Sequence, residues 1–86
     1  MKFYYSNLFK QKAHQLEKNI KKALKNKLEL MEQNLKHPSL RTKKIKGTKN
    51  IYEVSITMNY QMTWQYYKDG ILLRNIGEHN TTLKKP

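Results

Sequence analysis

A change of hydrophobic period near the middle of the chain constrains its fold more than any other feature. Between Ser6 and Lys36 there is neither Gly nor Pro, and apolar residues recur at helical spacing: Phe9, Ala13, Leu16 and Ile20, then Leu24, Leu28, Met31 and Leu35. That spacing lines them up on one stripe of a helix. From Tyr52 the period drops to two. Tyr52, Val54, Ile56 and Met58 alternate with Glu53, Ser55 and Thr57; Tyr60, Met62, Trp64 and Tyr66 alternate with Gln61, Thr63 and Gln65. Alternation of this kind sends one set of side chains into a core and the other into water. The chain must therefore lay an apolar helical stripe against the apolar face of a small sheet.

The remaining elements follow from local signals. Phe3, Tyr4 and Tyr5 predict a short strand over 1–5, and Ser6 stands where it caps a helix. One unbroken helix to Lys36 would be about 45 Å long at 1.5 Å per residue, too long for 86 residues to cover. Two helices folded back on each other are expected, parted at Lys18-Asn19 with Asn19 capping the second, which ends at His37-Pro38 because a residue before proline is pushed out of the helical region. Residues 38–50 carry Arg41, Lys43, Lys44, Lys46 and Lys49 around Gly47, either as a solvated linker or as a phosphate-binding loop. Asp69-Gly70 predicts a hairpin into a last strand over 71–76.

The order is β-α-α-β-β-β, an α+β fold with two N-terminal helices packed on one face of a small, mainly antiparallel sheet. A length of 86 residues is expected to form one domain. The face away from the helices is expected to carry Glu53, Ser55, Gln61 and Thr63, while Tyr60, Trp64 and Tyr66 point to the core.

Charge bears on what such a fold is for. Lys and Arg number 18 against 6 Asp and Glu, a formal net charge of +12. This much self-repulsion makes most sense if the working partner is an anion, either a nucleic acid or an acidic protein. The chain has no cysteine, which excludes disulfides and cysteine-based zinc sites. The opening residues lack the apolar run of a secretory signal, and nowhere do enough apolar residues occur together to span a membrane. A cytoplasmic location is expected.

Four stretches carry a family resemblance: the basic run Lys44 to Gly47, the strand opening Ile51-Tyr52, the tyrosine-led strand Tyr60 to Trp64, and the triplet Gly77-Glu78-His79. In this order and spacing the sequence resembles the RelE/ParE superfamily of toxins from bacterial type II toxin–antitoxin modules, over essentially the whole chain. The glycine-x-histidine end resembles the YafQ-type branch. The resemblance implies a ribosome-dependent messenger RNA endoribonuclease that uses no metal or other cofactor and is held silent by a cognate antitoxin. It implies His79 as general acid or base, a role that suits an imidazole near neutral pH. Glu53 is the candidate second proton carrier, with a salt bridge to a neighbouring lysine as its alternative role. Lys44, Lys46 and Arg74 are candidates for holding phosphate. Lys84 and Lys85 either extend the cationic surface or belong to a disordered tail.

At position 61 the chain departs from the family. The tyrosine opening that strand is usually followed by an arginine, and here the residue is Gln61. An amide donates hydrogen bonds but brings no charge to a phosphorane. The departure implies a weakened enzyme, or a different cation taking over. Two other functions share this fold and charge: a ParE-like poison of DNA gyrase, and a basic nucleic-acid-binding module without chemistry.

Overall fold

The structure, a computed structural model, describes residues 1–86. Its first element is a strand, β1 (Lys2–Tyr5), followed by two helices, α1 (Asn7–His14) and α2 (Lys18–Gln33). A 3₁₀ turn (Pro38–Leu40) leads to four further strands, β2 (Lys43–Lys44), β3 (Tyr52–Ser55), β4 (Tyr60–Tyr67) and β5 (Gly70–Glu78), and to a short last helix, α3 (His79–Thr82). The expected β-α-α-β-β-β order is present, extended by the edge strand β2 and by α3. The five strands form one sheet in the order β1-β5-β4-β3-β2. Only β1 and β5 pair in parallel.

The core lies between the helices and one face of this sheet. Phe9 of α1 and Ile20, Leu24 and Met31 of α2 meet Val54, Met62, Trp64, Ile71, Leu73 and Ile76 from the strands. Leu40 is driven into the same cluster from the 3₁₀ turn, which Pro38 opens as its first residue.

The helix boundaries differ from the sequence reading. Ser6 does cap α1, its Oγ accepting from the Phe9 N–H at 3.0 Å while its own O–H donates to the Arg74 carbonyl at 2.6 Å. The break between helices falls at Gln15–Glu17, not at Lys18-Asn19, and Asn19 lies exposed within α2. Two 3₁₀-type bonds, Gln15 N–H to Lys12 O and Leu16 N–H to Ala13 O, tighten and end α1. Extended Glu17 then precedes α2, placing a carboxylate before a helix that has no acid in its own first turn. At the other end α2 stops at Gln33, short of His37-Pro38. Asn34 turns extended, and its side-chain oxygen accepts from the Lys36 N–H, an alternative to helical bonding.

Three side chains differ from the expectation in how exposed they are. β3 ends at Ser55, so Met58 sits in the turn that follows and is 93% exposed, not inward-facing. Tyr66 remains on the aromatic ladder with Tyr52 and Trp64 but is 57% exposed. Thr63 is on the face away from the helices yet wholly buried. Residues 83–86 cross that face, with the Pro86 carbonyl accepting from Thr63 Oγ1 and Arg74 Nε, each at 3.0 Å, and the Lys85 carbonyl accepting from Asn75 Nδ2 at 2.9 Å. A register shift between Thr63 and Trp64 leaves Arg74 as the unpaired residue of β5.

The hairpin expected at Asp69-Gly70 forms, but its loop is Lys68-Asp69, and Lys68 takes the positive φ of 49°. Gly70 already pairs with Tyr67 and with Lys2 of β1. A Cβ there would lie 1.8 Å from the Lys2 carbonyl oxygen, so glycine is needed for the approach of β1. Gly70→Ala is expected to cost about 2–3 kcal/mol, read as a lower urea midpoint with an unchanged m-value.

Tyr4 ties the same corner down, its hydroxyl donating to Asp69 at 2.6 Å. This bond holds the Asp69 carboxyl below its ordinary value of 3.8 and lifts the Tyr4 hydroxyl above its ordinary 10.0. It requires neutral tyrosine and charged aspartate. Its contribution to stability is therefore present from the ordinary aspartate value up to the ordinary tyrosine value. Below that window it disappears as pH falls through the depressed folded Asp69 value, and above it as pH rises through the raised folded Tyr4 value. The stability difference between wild type and Tyr4→Phe, followed by denaturant titration, is expected to be constant around neutrality and to vanish at both extremes.

Candidate active site

On the far side of the sheet from the core, near its β2 edge, is an open cleft of about 1190 Å³. Its floor comes from the alternation of β3 and β4. Glu53, Ser55 and Gln61 all face it and are half-buried. Ser55 stands directly opposite Gln61, and Lys43 of β2 directly opposite Glu53, pairings that bring side chains on one face within contact range. Arg41 and Thr42 form one wall, Glu78, His79 and Asn80 the other, and Met58, Asn59 and Tyr60 the mouth.

His79 reaches this wall because β5 continues past Ile76 to Glu78 and then turns at once into α3. The sequence reading placed it at a strand end; it is the first residue of a helix, exposed, with its N–H donating to the Asn59 carbonyl at 2.8 Å. Gly77 makes the turn possible. A Cβ on it would lie 2.8 Å from the buried Thr82 Oγ1 and 3.2 Å from Lys12 Nζ. The glycine-x-histidine spacing thus has a mechanical meaning: the glycine lets α3 close on the sheet, and the closure presents the imidazole to the cleft.

The three candidate catalytic residues, Glu53, Gln61 and His79, share this cleft. No Glu53–lysine ion pair forms within 4 Å; the single ion pair in the molecule joins the Met1 amino group to Glu32 at 3.7 Å. Glu53 is therefore open to a ligand. The Gln61 amide oxygen is buried without a hydrogen-bond partner, an unpaired polar group of the sort that clusters at functional sites.

The candidate phosphate-holding residues lie elsewhere. Lys44 follows Lys43 in the strand, so alternation turns it away from the cleft. Lys46 is in the turn beyond buried Ile45, outside the lining. Arg74 is occupied by the Pro86 carbonyl and by the Gln65 side-chain oxygen. Lys84 and Lys85 belong to the segment crossing the sheet and do not line the cleft either.

The cations that do face the cleft are Arg41 and Lys43. Arg41 is left-handed, at φ 52°, where it follows the 3₁₀ turn anchored by buried Leu40. A non-glycine residue there is uncommon, and such conformations gather at functional sites. Both residues were visible in the basic segment 38–50. Which of its cations faces the cleft depends on the register of β2 and on the turn at Leu40, neither of which has a clear sequence signal. Two cations against Glu53 and Glu78 leave the cleft formally balanced. The excess of positive charge thus lies outside the cleft, in the whole-molecule charge of +12, while the cleft itself holds groups able to donate and accept protons.

No family model and no curated protein sequence matches the chain. Solved structures do. A chain of the RelB–RelE antitoxin–toxin complex from Methanococcus jannaschii superposes with a TM-score of 0.73 at 21% identity, over 96% of this chain and 98% of that one. The YoeB/ParE toxin from Agrobacterium tumefaciens gives 0.78 at 9% identity, over 92% and 99%. A chain of the DinJ–YafQ complex from E. coli gives 0.70 at 12% identity, over 93% and 94%. The chain shares the fold of these toxin structures.

If Gly77 places His79, a side chain at position 77 must displace α3. Gly77→Ala is expected to lower stability by about 1–3 kcal/mol and to shift the His79 ring resonances in NMR spectra, while those of His14 and His37 stay put.

Proposed function

We propose that this chain is the toxin of a type II toxin–antitoxin pair and acts as a ribosome-dependent, metal-independent endoribonuclease on messenger RNA in the cytoplasm. The observation that carries the reading is the meeting of Glu53, Gln61 and His79 with Arg41 and Lys43 in one cleft of a RelE/ParE fold. Inside it the RNA 2′-hydroxyl attacks the adjacent phosphorus. Glu53 takes the hydroxyl proton and His79 gives one to the departing 5′-oxygen, leaving a 2′,3′-cyclic phosphate and a 5′-hydroxyl. Each proton transfer is worth roughly 10²- to 10⁴-fold. Arg41 and Lys43 stand where positive charge would stabilise the phosphorane, and Gln61 adds amide donors.

This placement bears on the missing arginine at position 61. A guanidinium facing the same cleft supports the reading in which another cation has taken over, in place of simple weakening. The RelB–RelE and DinJ–YafQ structures are of toxins with their antitoxins, and an antitoxin with an acidic segment is the partner proposed here, matched to the net charge of +12.

Induced expression followed by mapping of messenger ends tests the function. Cuts confined to translated messages, lost in His79→Ala by about 10²- to 10⁴-fold in rate, are the expected result. Breaks in DNA with intact messages would show a gyrase poison instead, and activity unaltered in His79→Ala would indicate binding without chemistry. Arg41→Ala is expected to cost on the order of 10²-fold in rate, and Gln61→Arg to restore part of that loss. A Gln61→Arg enzyme much faster than wild type would show that the natural chain is weakened.

A further inference from the structure

Met58 is one of the cleft residues that this chemistry leaves unused, and the only one of them that is both apolar and fully in water. Of the cleft residues only Met58 and Tyr60 are apolar, and at 93% Met58 is the most exposed large apolar side chain in the molecule. On a loose loop it would mean little, but the turn over 56–59 is closely braced. The Ile56 and Thr57 N–H groups donate to the Tyr60 carbonyl at 2.9 and 3.2 Å. Thr57 Oγ1 accepts from the Asn59 and Tyr60 N–H groups at 3.3 and 3.2 Å, and Ser55 Oγ donates to the Thr57 carbonyl at 3.1 Å. On its other side the turn is tied to the imidazole residue, through the His79 N–H to Asn59 carbonyl bond.

The backbone around Met58 is thus pinned both to the strand carrying Glu53 and Ser55 and to the residue carrying the proposed proton donor. The braced turn holds a thioether side chain in water at the mouth of a polar cleft, where it contributes nothing to the core. A surface of that kind gains only when a ligand with an apolar face covers it. A nucleobase has such a face, and methionine sulfur packs favourably on aromatic rings.

We propose that Met58 is a substrate-binding residue for the RNA, packing on the face of a base beside the scissile phosphate and adding to the affinity of the cleft for substrate and transition state alike. The assignment rests on the endoribonuclease reading. It predicts binding that is tolerant of base identity, since every base offers a stacking face.

The test uses the full chain with programmed ribosomes and three messages: one normal, and one each with an abasic ribonucleotide on the 5′ or 3′ side of the mapped cut. Met58→Ser is expected to raise KM about threefold to tenfold on the normal message, with kcat nearly unchanged and the melting temperature that of wild type. Met58→Leu, which keeps an apolar side chain, should stay within about twofold of wild type. On one of the abasic messages wild type should lose the same factor, and Met58→Ser should lose nothing more. Equal KM for wild type and Met58→Ser on the normal message would overturn the assignment alone, as would a Met58→Ser defect that persists in full on both abasic messages. Failure of wild type to cut any translated message would overturn the endoribonuclease reading and this assignment with it.

Discussion

The pairing of β4 with β5 is the contact on which the rest of the molecule depends. One face of this hairpin supplies Met62, Trp64, Leu73 and Ile76 to the core. The other supplies Gln61 to the cleft and Thr63, Arg74 and Asn75 to the segment that crosses the sheet. Because side chains alternate, slipping the pair by one residue would exchange these two sets at once. The register that buries the tryptophan is also the one that exposes the candidate chemistry. Stability and the candidate site are coupled here through geometry.

Glycine completes that coupling at two places. Gly70 admits β1 alongside β5, closing the sheet edge over Ile71 and Leu73, while Gly77 admits α3 at the opposite end of the same strand. Neither takes a positive φ. Both are there because another part of the chain comes too close for a side chain. The first contact serves the core, and the second sets where the imidazole stands relative to Glu53.

Much of this was legible in the sequence, for identifiable reasons. The switch from helical spacing to alternation is a direct record of what each element buries, so fold class, the two N-terminal helices and the strands β3, β4 and β5 could be read from it, while α3 and the edge strand β2 could not. The same alternation put Glu53 and Gln61 on the open face. What could not be read depended on tertiary closeness. The end of β3 was hidden because Met58 keeps the apolar pattern beyond the last paired residue, Ser55. The β4–β5 register shift, which frees Arg74, has no local signature. Arg41 and Lys43 could not be told from Lys44, Lys46 and Lys49, since facing is set by a short edge strand and a 3₁₀ turn. Asn19 looked like a helix cap, but the α1 end is set by the 3₁₀-type bonds at Gln15 and Leu16.

The central claim is that one cleft of this small basic protein performs metal-independent phosphodiester transfer. Its most direct measurement is the chemistry of the ends left on a defined message, using purified chain and programmed ribosomes with a chelator present. The account requires a 2′,3′-cyclic phosphate on the upstream fragment and a 5′-hydroxyl on the downstream one, formed by wild type and suppressed in Glu53→Gln as in His79→Ala. A 5′-phosphate end, or cutting that survives both substitutions, would contradict it.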